Sequence, residues 1–121
     1  NAFLGRLLLK ANHALFKKLA AAKRINDVGF KDLGAGGIAC ASVEIAEAGG
    51  FGAVVDLEKV PVALAGLAPS VILCAETQER YLWVVPPDLA PLVLAHYNEE
   101  FALPQVSEGA CAAYYRYREP T

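Results

Sequence analysis

The chain has 121 residues, which is the size of one domain, and folding at this length can bury about two-thirds of the surface that the unfolded chain exposes. Apolar residues make up 55% and charged residues 20%, a balance typical of globular proteins and not of disordered ones. The formal net charge of −2 gives no electrostatic attraction for nucleic acid. The longest charge-free stretch, Val60 to Ala75, contains two prolines and is shorter than the roughly twenty residues of a membrane span. We therefore expect neither nucleic acid nor a membrane as a partner.

Three cysteines, Cys40, Cys74 and Cys111, are widely separated, with no CxxC pair and no histidine at metal-ligand spacing. This spacing argues against a structural zinc site. Their apolar surroundings predict small buried side chains in a reducing compartment, which indicates the cytoplasm.

An amphipathic helix is predicted from Phe3 to Ala22. Its apolar face would carry Leu4, Leu8, Ala11, Leu15 and Leu19, and its polar face Arg6, Lys10, His13 and Lys17. The basic cluster at its end, Lys17, Lys18, Lys23 and Arg24, is interpreted as a solvated face. The chain starts at Asn1 and contains no methionine, so we expect it to be truncated.

The next segment, 26–37, is rich in glycine and aspartate and is predicted to be a loop. It leads into a helix from Ile38 to Ala48, which should end at Gly49-Gly50 because left-handed glycines terminate helices. Phe51 to Leu57 is predicted to be the first strand.

The second half contains shorter elements. Segment 61–70 is predicted to be a connection, 71–74 is an apolar run, and Tyr81–Val85 is a strand that Pro86 ends. Asp88 should cap a helix with Pro91 in its first turn. The apolar face of that helix would carry Leu89, Leu92, Val93, Tyr97 and Phe101, with His96 as a structural residue. Segments 105–106 and 110–117 are predicted to be closing strands.

The first segment with chemical potential is a glycine loop that feeds a helix N-terminus. It consists of Asp32, Leu33, Gly34, Ala35, Gly36 and Gly37. Glycines let backbone amides face a ligand, and a helix N-terminus offers unpaired N–H donors and positive dipole, so a phosphate would be stabilised there. The alternative is a glycine turn that allows close helix packing, and the local sequence does not decide between the two.

The second such segment is 74–80, in which carboxylates, an amide and a guanidinium lie between apolar flanks. On an extended backbone Glu76, Gln78 and Arg80 would share one face and could bind a polar substrate. The alternative is a structural Glu79–Arg80 salt bridge with solvated neighbours.

Taken in order, segments 31–37 (Lys-Asp-Leu-Gly-Ala-Gly-Gly), 54–62 (Val-Val-Asp-Leu-Glu-Lys-Val-Pro-Val) and 75–80 (Ala-Glu-Thr-Gln-Glu-Arg) resemble the synthetase part of the phosphoribosylformylglycinamidine synthase family. The resemblance covers nearly the whole chain. It implies an α/β (α+β) fold with a mixed sheet and helices packed on one face, similar to a C-terminal domain of the PurM-like superfamily. Residues 1–121 would form one such domain.

The resemblance also implies an activity. The family is an ATP- and magnesium-dependent ligase of purine biosynthesis, which converts formylglycinamide ribonucleotide to the amidine with ammonia from a glutaminase subunit or domain. Because the family's ATP and magnesium residues lie mainly in other parts of the enzyme, we expect no turnover from this chain alone and no cofactor bound to it. Its partners would be formylglycinamide ribonucleotide, the remaining domains and the glutaminase.

Residue by residue, the family's Glu-Ser-Gln substrate contact corresponds to Glu76, Thr77 and Gln78 here, and no catalytic residue is assigned. A magnesium-binding aspartate of the family corresponds to Asn1, a neutral side chain that offers the cation no charge. The resemblance therefore assigns no metal ligand in this chain.

Two alternatives stay open: another ATP-dependent synthetase or kinase of the superfamily, against which segment 76–80 argues, and a noncatalytic module that binds a phosphorylated metabolite or assembles with partner subunits. The substitution at Asn1 favours the second.

Overall fold

A computed structural model describes residues 2–34, 36–50, 52–53, 66, 68–74, 80–106 and 117–118 of the chain. The helices are α1 Ala2–Ala21, α2 Gly37–Gly49, α3 Pro69–Cys74, α4 Ala90–Ala95 and α5 Leu103–Val106, with a 3-10 turn at Ile25–Asp27 and a π-helical turn at His96–Glu100. The strands are β1 Gly29–Asp32, β2 Gly52–Ala53, β3 Tyr81–Val84 and β4 Tyr117–Arg118. The predicted α+β class is confirmed. Of the helices described, none is long and apolar enough to cross a bilayer.

The chain divides into two compact units: residues 1–29 with 85–112, and residues 30–84 with 113–121. The assignment of the whole chain to one domain stays a prediction.

In the first unit, α1 buries the apolar face that its periodicity predicts. Leu8, Ala11, Leu15 and Leu19 are buried, whereas His13 on the opposite face is exposed, as expected. The helix ends where Lys23 adopts a left-handed conformation, φ 59°. The N–H groups of Arg24 and Lys23 then donate to the carbonyls of Leu19 and Ala20, which is the Schellman pattern.

Polar side chains join α1 to the π-helical turn. His96 is fully buried, with Nε2 2.7 Å from the carbonyl oxygen of Ala11 and Nδ1 2.8 Å from Nζ of Lys18. A carbonyl only accepts and an ammonium only donates, so Nε2 carries the proton and Nδ1 accepts. The hydroxyl of Tyr97 donates to Oδ1 of Asn12 at 2.6 Å. The prediction that His96 is structural is consistent with these bonds.

The interpretation of the basic cluster as a solvated face is wrong for two of its residues, which form ion pairs. Lys18 is paired with Glu100, and Arg24 with Asp27 and Asp88. Asp88 therefore does not cap α4, whose N-cap is Leu89 without a side-chain hydrogen bond. The guanidinium offers Asp88 two charge-assisted hydrogen bonds, which a capping geometry would forgo.

Two further predictions for this unit are wrong. Segment 105–106 belongs to α5 and not to a strand. Leu92, assigned to the apolar face of α4, is 41% exposed, whereas Val93 beside it is buried.

In the second unit, β1 pairs with β3, and β2 pairs with β4 in antiparallel register. Phe30 of β1 contacts the rings of Tyr81 and Trp83 of β3, at centroid distances of 5.4 and 4.6 Å. Leu82 is buried. The Tyr81–Val85 strand is confirmed to within one residue.

Helix α2 contacts α3, β2 and β3 and ends at Gly49, and the φ of 75° at Gly50, its C-cap, confirms the predicted glycine stop. The segment predicted as a loop before α2 contains β1, so the strand at Gly52–Ala53 is not the first in the chain. Pro69 and Ser70, assigned to a connection, begin α3, since proline is favoured in a first helical turn. Residues 51, 54–57 and 110–116 of the predicted strands lie outside the described residues.

Candidate functional site

The glycine loop forms a tight turn at the N-terminus of α2. The N–H of Gly37 donates to the carbonyl of Gly34 at 3.1 Å, and Gly36 has φ 82° and ψ −4°. These angles match the third position of a type II turn, which requires a positive φ. Gly36 is then the N-cap of α2, and its carbonyl accepts the N–H of Cys40 at 3.4 Å.

Two glycines of this turn, Gly34 and Gly36, differ in what surrounds them. A Cβ on Gly36 would lie 2.6 Å from Cβ of Cys40, so both backbone angle and packing require glycine there. A Cβ on Gly34 would meet nothing within 4 Å, and Gly34 is exposed. Close packing thus explains Gly36 but not Gly34, where the backbone is open to approach by a ligand.

The N-terminus of α2 has no side-chain cap. The first N–H groups of a helix have no partner within the helix, so those of Ile38 and Ala39 face the loop side. Together with the helix dipole they provide the elements of an anion site.

Three side chains beside the loop, those of Lys31, Glu44 and Cys40, are linked to one another. Nζ of Lys31 lies 2.6 Å from Oε2 of Glu44, and Sγ of Cys40 donates to Oε1 of Glu44 at 3.3 Å. The hydrogen bond from Lys31 lowers the pKa of Glu44 below its ordinary value, and the hydrogen bond to Glu44 raises the pKa of the Cys40 thiol. A neighbouring carboxylate, Asp32, is exposed. Side-chain charge here does not favour an anion, so backbone donors would have to hold it.

The contacts of Lys31 and Cys40 with Glu44 were not predicted from the sequence. Cys40 and Glu44 are four residues apart on a helix, which is the spacing of neighbours on one face and the available signal. The prediction that the cysteines are buried is wrong for two of them: Cys40 is half-buried and Cys74 is exposed, and both are free. The thiol of Cys40 donates a hydrogen bond to the carboxylate of Glu44, which is exposed. Cys111 lies outside the described residues.

The glycine loop also meets the end of segment 74–80. The N–H of Leu33 donates to the carbonyl of Arg80 at 3.0 Å, extending the pairing of β1 and β3. Arg80 is half-buried. The structure therefore brings together the first residues of the loop and the last residue of the predicted substrate segment.

Several predicted site residues are outside the described part of the chain: Asn1, Ala35, Glu76, Thr77, Gln78 and Glu79. Their assignments stay predictions. Among the residues that the structure does describe, no three histidine, cysteine, aspartate or glutamate side chains form a group that could hold a metal ion.

Residues 4–107 match the family described as AIR synthase related protein, C-terminal domain. The phosphoribosylformylglycinamidine synthase subunit PurL of Methanothrix thermoacetophila is 48% identical over 112 residues, which are 92% of this chain and 14% of that protein. The subunit of the same name from Metallosphaera sedula is 38% identical over 97 residues, 80% of this chain and 12% of that protein. The chain thus spans about a seventh or less of the length of these relatives.

Two solved structures share the fold. One is described as the structure of PurLQS from Thermotoga maritima and has a TM-score of 0.67 at 32% identity, over 82% of this chain and 16% of that one. The other is T. maritima PurL complexed with ATP, with a TM-score of 0.62 at 31% identity, over 77% of this chain and 15% of that one. The match of residues 4–107 and these relatives together show that the chain belongs to the AIR synthase related protein, C-terminal domain family.

Proposed function

We propose that this chain is the substrate-binding part of a phosphoribosylformylglycinamidine synthase, the ligase of purine biosynthesis that forms an amidine from formylglycinamide ribonucleotide. The observation that carries the proposal is the hydrogen bond from the N–H of Leu33 to the carbonyl of Arg80, which joins the glycine loop to the end of the Glu-Thr-Gln-Glu-Arg segment. The 48% identity with a PurL subunit over 92% of the chain supports the same reaction.

The glycine loop would bind the phosphate of the ribonucleotide. Gly34 leaves room beside the backbone, and the uncapped N-terminus of α2 offers N–H donors and the positive end of the helix dipole. Because Asp32 and Glu44 oppose Lys31 in charge, this binding depends on the backbone amides and should be weak when the chain is alone.

Glu76, Thr77 and Gln78 would bind the formylglycinamide portion. A carboxylate accepts hydrogen bonds, an amide both donates and accepts, and the threonine hydroxyl can replace the serine hydroxyl of the resembled motif. The proximity of Arg80 to the glycine loop supports placing the two ends of one ligand on these two segments.

ATP, with magnesium, would supply the phosphoryl group that activates the amide oxygen. The described residues contain no group suited to a metal ion, so we derive no step through magnesium from them. Under this proposal other parts of the cytoplasmic enzyme hold ATP and the metal, a glutaminase supplies ammonia, and this chain alone does not turn over.

Calorimetric titration of the chain with formylglycinamide ribonucleotide tests the proposal. Gly34→Ala is the sharpest variant, because its methyl group meets no protein atom within 4 Å yet would occupy the space that a ligand needs. We expect the ribonucleotide to bind, with an affinity at least about tenfold lower in Gly34→Ala and in Gln78→Ala.

Three outcomes are informative. Binding that Gly34→Ala leaves unchanged would contradict the phosphate loop while keeping the substrate segment. Binding that Gln78→Ala leaves unchanged would contradict the substrate segment while keeping the phosphate loop. If formylglycinamide ribonucleotide binds no more tightly than ribose 5-phosphate, the chain recognises phosphate alone and the noncatalytic module becomes the better account.

A further inference from the structure

Helix α1 carries a narrow line of basic side chains on its solvent face, which we call the basic stripe: Arg6, Lys10, His13 and Lys17. All four are exposed. At 100° per residue they fall within an arc of about 60°, and the eleven-residue interval spans about 16 Å along the helix axis. The stripe is thus a straight ridge of donors.

Nothing on the helix compensates these charges. Segment 2–21 contains no aspartate or glutamate. Within the described residues, Arg6, Lys10 and Lys17 take part in no ion pair, whereas Lys18, Arg24 and Lys31 each contact a carboxylate. Like charges four residues apart on a helix repel each other, so the stripe gains stability when an anionic surface approaches it.

Two large apolar side chains lie exposed on α1 beside the stripe. Phe3 is 65% exposed and Leu9 is 52% exposed. By the same helical geometry they fall on opposite sides of it. Exposed apolar groups beside a charged ridge are features of a protein interface, in which aromatic and aliphatic side chains add contact area around polar pairs.

We propose that the basic stripe is a docking surface for another protein, one that presents a row of carboxylates about as long as the stripe. A helix with glutamates at positions i, i+4, i+7 and i+11 has this geometry.

Two other kinds of partner fit less well. Nucleic acid would meet a chain of net charge −2 and sequence pI near 5.6, which disfavours a long polyanion. A membrane surface would need the apolar face of the helix, but Leu8, Ala11, Leu15 and Leu19 are already buried in the core. A protein surface needs only the exposed stripe and its flanks.

The probe is a fluorescein-labelled helical peptide with glutamates at those four spacings, titrated with the chain at low ionic strength and followed by fluorescence anisotropy. Lys10→Glu, on the stripe, is matched by Lys23→Glu, an exposed lysine that follows the helix. We expect Lys10→Glu to weaken binding about fivefold, Lys10→Glu with Lys17→Glu more than about tenfold, and Lys23→Glu less than about twofold. Raising NaCl to about 0.5 M should weaken binding to the unaltered chain.

Circular dichroism checks that each variant folds. If the double charge reversal does not fold, Lys10→Gln with Lys17→Gln and the salt titration of the unaltered chain replace it. Absence of peptide binding, or an equal loss in Lys23→Glu, would overturn the proposal. So would tighter binding of a 15-nucleotide DNA strand or of phosphatidylserine vesicles through the same lysines, or sedimentation showing that the stripe joins two copies of this chain.

Discussion

The backbone N–H of Leu33 donates to the carbonyl of Arg80 across 47 positions of sequence, at 3.0 Å. Strand β1 ends one residue before Leu33 and strand β3 begins one residue after Arg80, so this bond continues the pairing of the two strands. Leu33 of the glycine loop and Arg80, the last residue of segment 74–80, therefore lie together at one end of this strand pair. The architecture of the candidate site follows from a strand pair and not from either segment alone.

The first prediction concerns Gly36. Gly36→Ala should lower the free energy of unfolding by about 2 kcal/mol or more, because alanine is strained at φ 82° and its Cβ would lie 2.6 Å from Cβ of Cys40. Urea denaturation monitored by circular dichroism measures the change.

Gly34→Ala is the matched control, two residues away in the same loop. Its Cβ meets nothing within 4 Å, so the free energy of unfolding should change by no more than about 0.5 kcal/mol. Equal stability losses in the two variants would contradict the turn geometry.

The elements that the sequence predicts well are those with a long, regular pattern. Helix α1 repeats apolar residues over five turns, and α2 ends at a glycine pair, so both were placed to within one residue at the ends that these signals define. The fold class rested on the resemblance of three ordered segments, which the family match over residues 4–107 bears out.

The elements that the sequence misses are short and depend on partners far along the chain. β1 has four residues with glycine at one end and aspartate at the other, and it exists because β3 pairs with it and because Phe30 packs on Tyr81. The ion pair of Asp88 likewise depends on a residue far along the chain, Arg24. The secondary-structure propensity of a short segment does not depend on such distant partners and so cannot predict them.

In the candidate site, glycine at positions 34 and 36 was recognised, but their different roles were not. Only the backbone angle and the position of Cys40 separate a glycine required by packing from one beside open space. The pairing of Lys31 with Glu44 was also missed, since the two residues are thirteen positions apart and lie on different elements.

A second prediction concerns the buried hydrogen bond between Tyr97 and Asn12. Tyr97→Phe should destabilise the chain by about 1–3 kcal/mol, because it removes the hydrogen-bond donor to Oδ1 of Asn12. Asn12 is only 3% exposed, so water cannot replace that donor. Thermal and urea unfolding measure the loss.

Tyr81→Phe is the control, since the hydroxyl of this half-buried tyrosine makes no hydrogen bond to the residues described, and it should change stability by no more than about 0.5 kcal/mol. A double-mutant cycle with Asn12→Ala isolates the pair, and additive losses would show that the two side chains do not interact.

A third prediction follows from the pair of Arg24 and Asp88, whose guanidinium and carboxylate form two hydrogen bonds at 2.7 and 3.2 Å. The hydrogen bond from Arg24 lowers the pKa of Asp88 below its ordinary value of 3.8. A carboxyl whose pKa is lower in the folded state stabilises that state above its unfolded pKa, and this contribution is lost as the pH falls through the folded pKa.

The stability difference between the unaltered chain and Asp88→Asn should therefore be constant from about pH 5 upwards and shrink below about pH 4. Asp88 is exposed and Arg24 is half-buried, so solvent reaches the pair and about 0.5 M NaCl should also reduce the difference. In an Arg24→Gln background the difference should vanish. A difference that grows on acidification would contradict this pairing.

The last prediction tests the substrate segment within a longer enzyme that contains this chain. Gln78→Ala should raise KM for formylglycinamide ribonucleotide about tenfold while kcat changes little, because an amide that binds the ground state and the transition state equally contributes to binding and not to the chemical step. Steady-state kinetics at saturating ATP and ammonia separate the two constants. Glu99→Gln, an exposed residue of the π-helical turn, serves as the control and should change neither. A fall in kcat at constant KM would instead place Gln78 among the groups that act on the developing charge, and unchanged kinetics would remove it from the site.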